Sequence, residues 1–210
     1  VYTYLRAEMQ AGRIVPGEYL RLNEMSQRLG ISKTPLRDAI IQLECEGFVT
    51  ILPRRGVLMN RLTLQDVKDA YDVVGALESA VILDVGDRID DKRLGAMTVL
   101  NDRMQALIEK TDFDTHYAEF FNLNLQFHDH FLDLSANRQI KKIVMPFKQR
   151  LYDFPRRRYI REWERSNCGE HDALIHLLQT GDTAGAADLL KDRHWSFSYY
   201  EDHIRTFYES

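Results

Sequence analysis

Cysteine, proline and long apolar runs are all scarce in this sequence. The 210 residues include two cysteines and five prolines. Cys45 and Cys168 do not form a Cys-x-x-Cys pair, which excludes a disulfide framework and a zinc knuckle and fits a reducing compartment. No apolar run approaches the ~20 residues that span a bilayer, and no secretory h-region is present. We therefore expect a cytoplasmic protein that does not associate with a membrane.

Acidic residues outnumber basic residues in the whole chain, although basic residues are in excess in its first part. The sequence contains 28 Lys and Arg against 32 Asp and Glu, a formal net charge of −4. Residues 1–62 hold 9 basic and 6 acidic residues, a net of +3, and residues 63–210 carry the remaining −7. Indiscriminate binding to nucleic acids depends on neutralising phosphates, so a net acidic chain argues against it. Any contact with DNA is expected to be local and specific.

The length and the hydrophobic content of 44% are sufficient for two domains, each with its own core. We predict a first domain over residues 1–62 and a second over residues 63–210. The hinge between them is expected around residues 60–63.

Residues 23–46 have the pattern of a helix-turn-helix. A short helix is predicted to begin with Asn23 as its N-cap and to end before Gly30. A second helix is predicted to follow the N-cap Ser32, with Pro35 in its first turn and apolar residues at core spacing. Such helix pairs also occur in proteins that do not bind DNA, so this pattern does not establish DNA binding by itself.

A β-hairpin with a basic tip is predicted directly after the second helix. Residues 48–52 are β-prone, residues 53–56 form a Pro-Arg-Arg-Gly turn, and residues 57–59 return as the second strand. Lys33 and Arg37 fall off the apolar stripe near the N-terminus of the second helix, the end that contacts base edges when a recognition helix lies in a major groove. The helices and the hairpin together predict a winged helix-turn-helix.

Residues 11–20, 30–39 and 43–48 resemble the N-terminal domain of the GntR family, with the order and spacing of these segments intact. The resemblance implies a transcriptional regulator that binds double-stranded operator DNA and is not an enzyme. Residues on the second helix are implied to contact bases, and the others to approach the backbone or the minor groove. The implied DNA-binding positions are Asn23, Ser32, Lys33, Thr34, Arg37, Arg55 and Gly56.

Residues 63–210 are predicted to form an all-α bundle, so that the whole chain is mainly α. Thr63 and Asp66 have the form of a capping box, and a long helix is predicted from there to about residue 88. Further helical stretches are predicted at residues 91–110, 114–134, 137–152, 155–164, 167–180 and 183–206.

The histidines are the side chains of this bundle that could bind a metal. Asn124 and His128 are four residues apart on one predicted helix, so they face the same way with Cβ atoms ~6 Å apart. His171 and His194 lie on two later helices, and a bundle can direct ligands from facing helices to one metal. The spacing alone is weak evidence, because a histidine on an apolar helix is more often packed or exposed than a metal ligand.

Residues 124–137 and 170–194 resemble the FCD effector domain of the FadR-like branch of the GntR family. The resemblance implies a homodimer, usually a repressor, that responds to a small organic acid. It also implies that the acid binds beside a divalent metal inside the bundle. The positions implied to hold the metal are Asn124, His128, His171 and His194.

Two positions depart from the pattern of this family. Asn124 replaces an Asp, so the site loses one negative charge and is expected to bind metal more weakly. Imidazole-rich ligation without thiolates favours Zn or Ni over Mn or Fe. Val74 replaces an Arg that contacts the effector carboxylate in many relatives. Arg150, or one of three arginines at residues 156–158, is expected to substitute; otherwise the effector is less acidic or is bound mainly through the metal.

Two alternative functions remain open at this point. The same DNA-binding protein could sense the metal itself, with the ion as the signal. A histidine-rich site could also activate water in a metal-dependent hydrolase. The hydrolase ranks lowest, because no HExxH motif, nucleophile elbow or phosphate loop accompanies the histidines.

Overall fold

The structure, a computed structural model of the chain, describes residues 1–153 and 161–208. The first part is a winged region of three helices and three short strands. Its elements are α1 (Tyr2–Gln10), β1 (Tyr19–Leu20), α2 (Leu22–Leu29), α3 (Lys33–Cys45), β2 (Val49–Leu52) and β3 (Gly56–Met59). The strands form one antiparallel sheet in the order β1-β3-β2. The predicted winged helix-turn-helix is confirmed, with α1 and β1 as additions that the sequence pattern did not predict.

The core of the winged region fixes the orientation of α3. Leu36, Ile40 and Leu43 form the buried stripe of α3 and belong to the same cluster as Leu5 of α1 and Phe48. Because residues three and four apart share one face of a helix, this stripe directs the opposite face of α3 towards solvent.

The N-cap of α2 lies two residues before the predicted position. Arg21, and not Asn23, is the N-cap, and its side chain forms no capping hydrogen bond. The reason is that β1 ends at Leu20 and leaves Arg21 as the single linking residue. Asn23 therefore lies within the first turn of α2, where it is exposed.

The second part of the chain is a helical bundle, as predicted. Its helices are α4 (Leu64–Val85), α5 (Asp91–Ile108), α6 (Phe113–Leu132), α7 (Arg138–Asp153), α8 (Arg161–Gln179), α9 (Thr183–Leu189) and α10 (Glu201–Tyr208). The capping box at the start of α4 is confirmed, because Thr63 accepts from the Asp66 amide while Asp66 accepts from the Thr63 amide. None of the helices that the structure describes is long and apolar enough to cross a membrane.

The end of the bundle departs from the single helix predicted at residues 183–206. A π-helical turn, Leu190–His194, follows α9, and residues 195–200 are not helical before α10 begins. The π turn closes with a hydrogen bond from the Trp195 amide to the Leu190 carbonyl, at 2.9 Å. Such turns occur often at functional sites. In addition, α8 runs without the break predicted near residue 165, whereas most of the helix predicted at 155–164 lies outside the described residues.

Aromatic residues fill the centre of the bundle. Phe113, Tyr117 and Phe120 are candidates for a subunit interface on the basis of their apolar surface, but all three are buried within the single chain. They belong to the core because α6 packs extensively on α5. These three residues therefore offer no exposed surface to a second subunit.

One helix of the bundle contacts the winged region directly. Asp153 at the end of α7 is fully buried and accepts hydrogen bonds from Arg6 and Gln10 of α1. Leu62 packs against the cores of both parts. The C-terminal end of α7 is thus fixed to the first helix of the winged region.

Candidate functional site

Three buried histidines meet inside the bundle, as the sequence predicts. His128 lies on α6, His171 on α8 and His194 at the end of the π turn. They offer ligand atoms that all lie within 4.8 Å of one another. The ring centroids are 5.0 to 5.3 Å apart. This geometry can place three imidazole nitrogens around one ion.

Each histidine is oriented by an acceptor that bonds its Nδ1 atom. Nδ1 of His128 lies 2.8 Å from Oε2 of Glu78, and Nδ1 of His194 lies 2.9 Å from Oε2 of Glu170. Because carboxylates accept hydrogen bonds, both Nδ1 atoms donate, and each Nε2 atom keeps its lone pair for a metal.

The third acceptor is an amide, and its orientation is fixed by its other contacts. Nδ2 of Asn101 donates to the carbonyl oxygen of Cys168 at 2.9 Å and to Asp172 at 2.6 Å. Oδ1 of Asn101 must therefore face Nδ1 of His171, which lies 3.1 Å away. All three histidines thus have the supporting partner that is typical of metal-binding imidazoles.

Three of the four predicted ligands have buried atoms that form no hydrogen bond with the described residues. They are Oδ1 of Asn124, Nε2 of His128 and Nε2 of His171. A buried acceptor without a partner costs about 1–3 kcal/mol. A bound cation would remove that cost at all three atoms, so the residues present fit a divalent metal.

Burial also sets the protonation states that such a site needs. Burial lowers the pKa of His128 to about 4, even though the Glu78 carboxylate raises it. Burial likewise lowers the pKa of His171 well below its ordinary value. For Glu78, burial disfavours the charged form, but His128 and Lys148 nevertheless hold its pKa below the ordinary value. At neutral pH both histidines are therefore uncharged, as metal ligands must be.

A cavity of about 80 Å³ opens beside the histidines. Among the described residues that line it are two predicted metal ligands, Asn124 and His194, together with Lys148, Glu164 and Asn167. The other walls are mainly aromatic. The aromatic lining residues are Tyr71, Tyr117, Phe120, Phe121, Tyr152, Trp163, Trp195 and Tyr208. This arrangement suits a small ligand with one polar end directed at the metal site.

The structure directs Arg150 away from this cavity. Its guanidinium donates to Asp66 at 3.1 Å and lies close to Gly47 of the winged region. Residues two apart on a helix point in different directions, and Lys148 instead lines the cavity. The position of Arg150 therefore does not support its predicted contact with the effector, and Arg156, Arg157 and Arg158 lie outside the described residues.

The sequence analysis did not identify the partners of the histidines, which are Glu78, Asn101 and Glu170. It also did not identify the buried Lys148. A signal for them was present, because each is a polar residue within an apolar helical stripe. Glu78 lies between Val74 and Ile82 on the buried face of α4, and Lys148 lies between Val144 and Leu151 on α7. A charge in such a position is kept when it has a partner or a function.

The predicted DNA-binding residues all lie on the exposed surface of the winged region. Lys33, Thr34 and Arg37 lie in the N-terminal part of α3, where their side chains are exposed. Arg55 and Gly56 lie at the tip of the hairpin between β2 and β3. The geometry is compatible with a helix in the major groove and a wing beside it.

Comparison with known families accounts for both parts of the chain. Residues 1–59 match the bacterial regulatory proteins of the gntR family, and residues 69–194 match the FCD domain, a range that includes all four predicted metal ligands.

Curated relatives and solved structures agree with these matches. The chain is 28% identical to the HTH-type transcriptional regulator YdhC of Bacillus subtilis, over 68% of this chain and 62% of that protein. It is also 28% identical to the HTH-type transcriptional repressor RspR of Escherichia coli, over 61% of this chain and 54% of that protein. The matched segments thus span about half to two thirds of these relatives.

The fold is similar to that of E. coli McbR/YncC, with a TM-score of 0.70, 17% identity and coverage of 97% of this chain and 92% of the other. These comparisons agree with the winged region and with the helical bundle. The chain therefore belongs to the GntR family of bacterial regulatory proteins and combines a gntR-type N-terminal region with a C-terminal FCD domain.

Proposed function

We propose that a small organic acid controls the operator affinity of this regulator by binding a divalent metal inside the bundle. Asn124, His128, His171 and His194 are the proposed ligands. The observation that carries the proposal is the set of buried Nε2 and Oδ1 atoms without partners among the described residues, next to a cavity. Each histidine also has a second contact that orients it for coordination.

Zn or Ni is the proposed metal, since imidazoles dominate and no thiolate is present among the proposed ligands. When bound, the ion would supply open coordination positions for a carboxylate. Asn124 contributes a neutral oxygen, so we expect a lower affinity than an aspartate would give at that position.

We further propose that the protein is a repressor and acts as a homodimer. The relative RspR is named as a repressor. Residues 1–62 carry a net charge of only +3, so one winged region offers few phosphate contacts. Two regions on a pseudo-palindrome, about one helical turn apart, would provide the required specificity. We expect sedimentation to give a dimer; a monomer with full operator affinity would contradict this assignment.

The test of the proposed function is a gel-shift titration with an operator fragment selected from random-sequence DNA. The protein is first stripped with a chelator and then reloaded with Zn or Ni. Acetate, lactate, succinate and citrate serve as probes. We expect at least one acid to lower the operator affinity of the loaded protein and to have no effect on the stripped protein.

Two other outcomes would change the assignment. If Zn or Ni alone switches operator affinity, the ion itself is the signal, and the protein is a metal sensor. If an acid acts equally on the stripped and the loaded protein, the histidines only pack or form hydrogen bonds.

Replacing Arg37 with alanine is expected to weaken operator binding by about 1–3 kcal/mol, as for loss of a bidentate contact with guanine. Arg37 is exposed on α3, so the change should not affect folding. Arg103→Ala, which removes the same charge from the exposed surface of the bundle, is the matched control. Equal operator affinity of the Arg37 variant and the wild type in a gel shift would remove Arg37 from the interface.

A further inference from the structure

A buried lysine lies in the wall of the cavity. The side chain of Lys148 is 3% exposed, and its Nζ atom lies 2.5 Å from Oε1 of Glu78. Removing an ammonium group from water costs several kcal/mol unless it is well compensated. Its position inside the bundle therefore requires an explanation beyond packing.

Glu78 compensates the charge of Lys148 without using all of its donors. An ammonium group has three N–H donors. Nζ of Lys148 contacts Oε1 of Glu78 and lies 5.1 Å from the centroid of the Trp195 ring, and the described residues supply no further acceptor to it. Oε2 of the same carboxylate is occupied by His128 and by Trp195. Lys148 thus keeps donors for a further anionic group.

The position of Lys148 in the cavity wall indicates where an anionic group of the ligand would bind. Lys148 lines the same small cavity as Asn124 and His194. It is the one lysine or arginine among the described lining residues. A small acid that reaches the proposed metal is therefore next to this ammonium group. Val74 of α4 is fully buried and apolar and does not appear among these lining residues.

We propose that Lys148 binds the carboxylate of the effector and makes the cavity selective for acids over neutral ligands. The positive charge comes from α7, and its contact with Glu78 of α4 holds it in the cavity wall. This inference rests on the proposed function, because it assumes that an organic acid enters the cavity beside the metal.

The experiment measures ligand binding to protein loaded with Co²⁺ or Ni²⁺, whose visible absorption changes when a ligand coordinates. Acetate and succinate are the anionic probes, and imidazole is a neutral probe that coordinates the metal without needing Lys148. The variants are Lys148→Met and Lys148→Arg. The control is Lys142→Met, which changes an exposed lysine on the same helix.

Lys148→Met is expected to weaken binding of an anionic probe by about 10- to 100-fold, the range for losing a charge-assisted hydrogen bond. Binding of imidazole should change less than about twofold by the same argument, and Lys148→Arg and Lys142→Met should retain most of the affinity for the acids. A distorted cavity would weaken all probes alike, so the ratio of acid to imidazole affinity isolates the charge.

If Lys148→Met does not fold because Glu78 loses its partner, Lys148→Gln, which removes the charge but keeps a donor for Glu78, should show the same selective loss. Equal affinity of the wild type and these variants for the acids would overturn the role of Lys148 but not the proposed function. A wild-type protein that binds metal but none of the acids overturns the proposed function as well.

Discussion

Replacing His128 with alanine is expected to abolish tight metal binding and the response to acid while ligand-free operator binding stays largely intact. His128 supplies one of the three imidazoles that lie within 4.8 Å of one another, and no other described His, Cys, Asp or Glu belongs to that group. Loss of a partner that only supports a ligand costs about 10- to 100-fold in metal affinity, and loss of a ligand should cost more. The DNA-binding residues are in the winged region and should be unaffected.

Metal content after dialysis, measured by elemental analysis, checks this prediction together with a gel shift. His171→Ala should behave in the same way as His128→Ala. His176→Ala is the matched control, because His176 lies on the same helix as His171 but is exposed. A His128 variant that keeps a full equivalent of metal and a normal response would show that this residue is not a ligand.

Replacing Glu78 with alanine is expected to lower the free energy of unfolding by about 3–5 kcal/mol, the cost of breaking a buried ion pair by removing one partner. Glu78 is fully buried and contacts Nζ of Lys148 at 2.5 Å. It also accepts from Nδ1 of His128 and from Nε1 of Trp195, each at 2.8 Å. The variant leaves a buried ammonium group and two buried donors without their partner.

Urea denaturation of metal-free protein measures this effect without a contribution from metal binding. Glu109→Ala is the control, since Glu109 pairs with Arg165 on the surface and its side chain is 68% exposed. Exposed pairs contribute about 0–1 kcal/mol, so the control should be nearly neutral. Equal stability of the Glu78 variant and the control would indicate that Glu78 and Lys148 are not both charged in the folded protein.

The sequence was sufficient for the main elements of the fold because their signals are local. The stripe of Leu36, Ile40 and Leu43 identifies α3, and the Thr63 capping box marks the start of α4. The sequence was not sufficient for β1, whose two residues become a strand only through pairing with β3. Helix α1 was missed because its buried apolar side chains are few.

The helical periodicity of the sequence does not predict the break after α9 either. Every residue from Thr183 to His194 is compatible with a regular helix, so the 3.6-residue period continues through the π turn. What selects the turn is tertiary contact: it allows His194 to reach Glu170 and the next residue, Trp195, to reach Glu78. Such contacts involve residues far apart in the chain.

The candidate site, too, could be predicted only in part, because some of its contacts join residues that are far apart in the sequence. Resemblance to the family indicated the three histidines, and the structure brings them together. The partners that orient them lie 50, 70 and 24 residues away along the chain, so spacing could not pair them. Arg150 was predicted to contact the effector, and Lys148 was not considered. The buried face of α7 includes Lys148 and not Arg150.

Helix α7 links the two parts of the molecule mechanically. Lys148 lines the cavity and Asp153 is fixed to α1 of the winged region, five residues further along, a rise of about 7.5 Å. Pro146 of the same helix has no amide hydrogen, so one helical hydrogen bond is missing from α7 just before Lys148. Under the proposed function, a ligand that displaced Lys148 would also act on Asp153 and its contact with Arg6 through this helix. Since coupling free energies are reciprocal, operator DNA would then change the affinity of the cavity by the same factor by which the ligand changes the affinity for DNA.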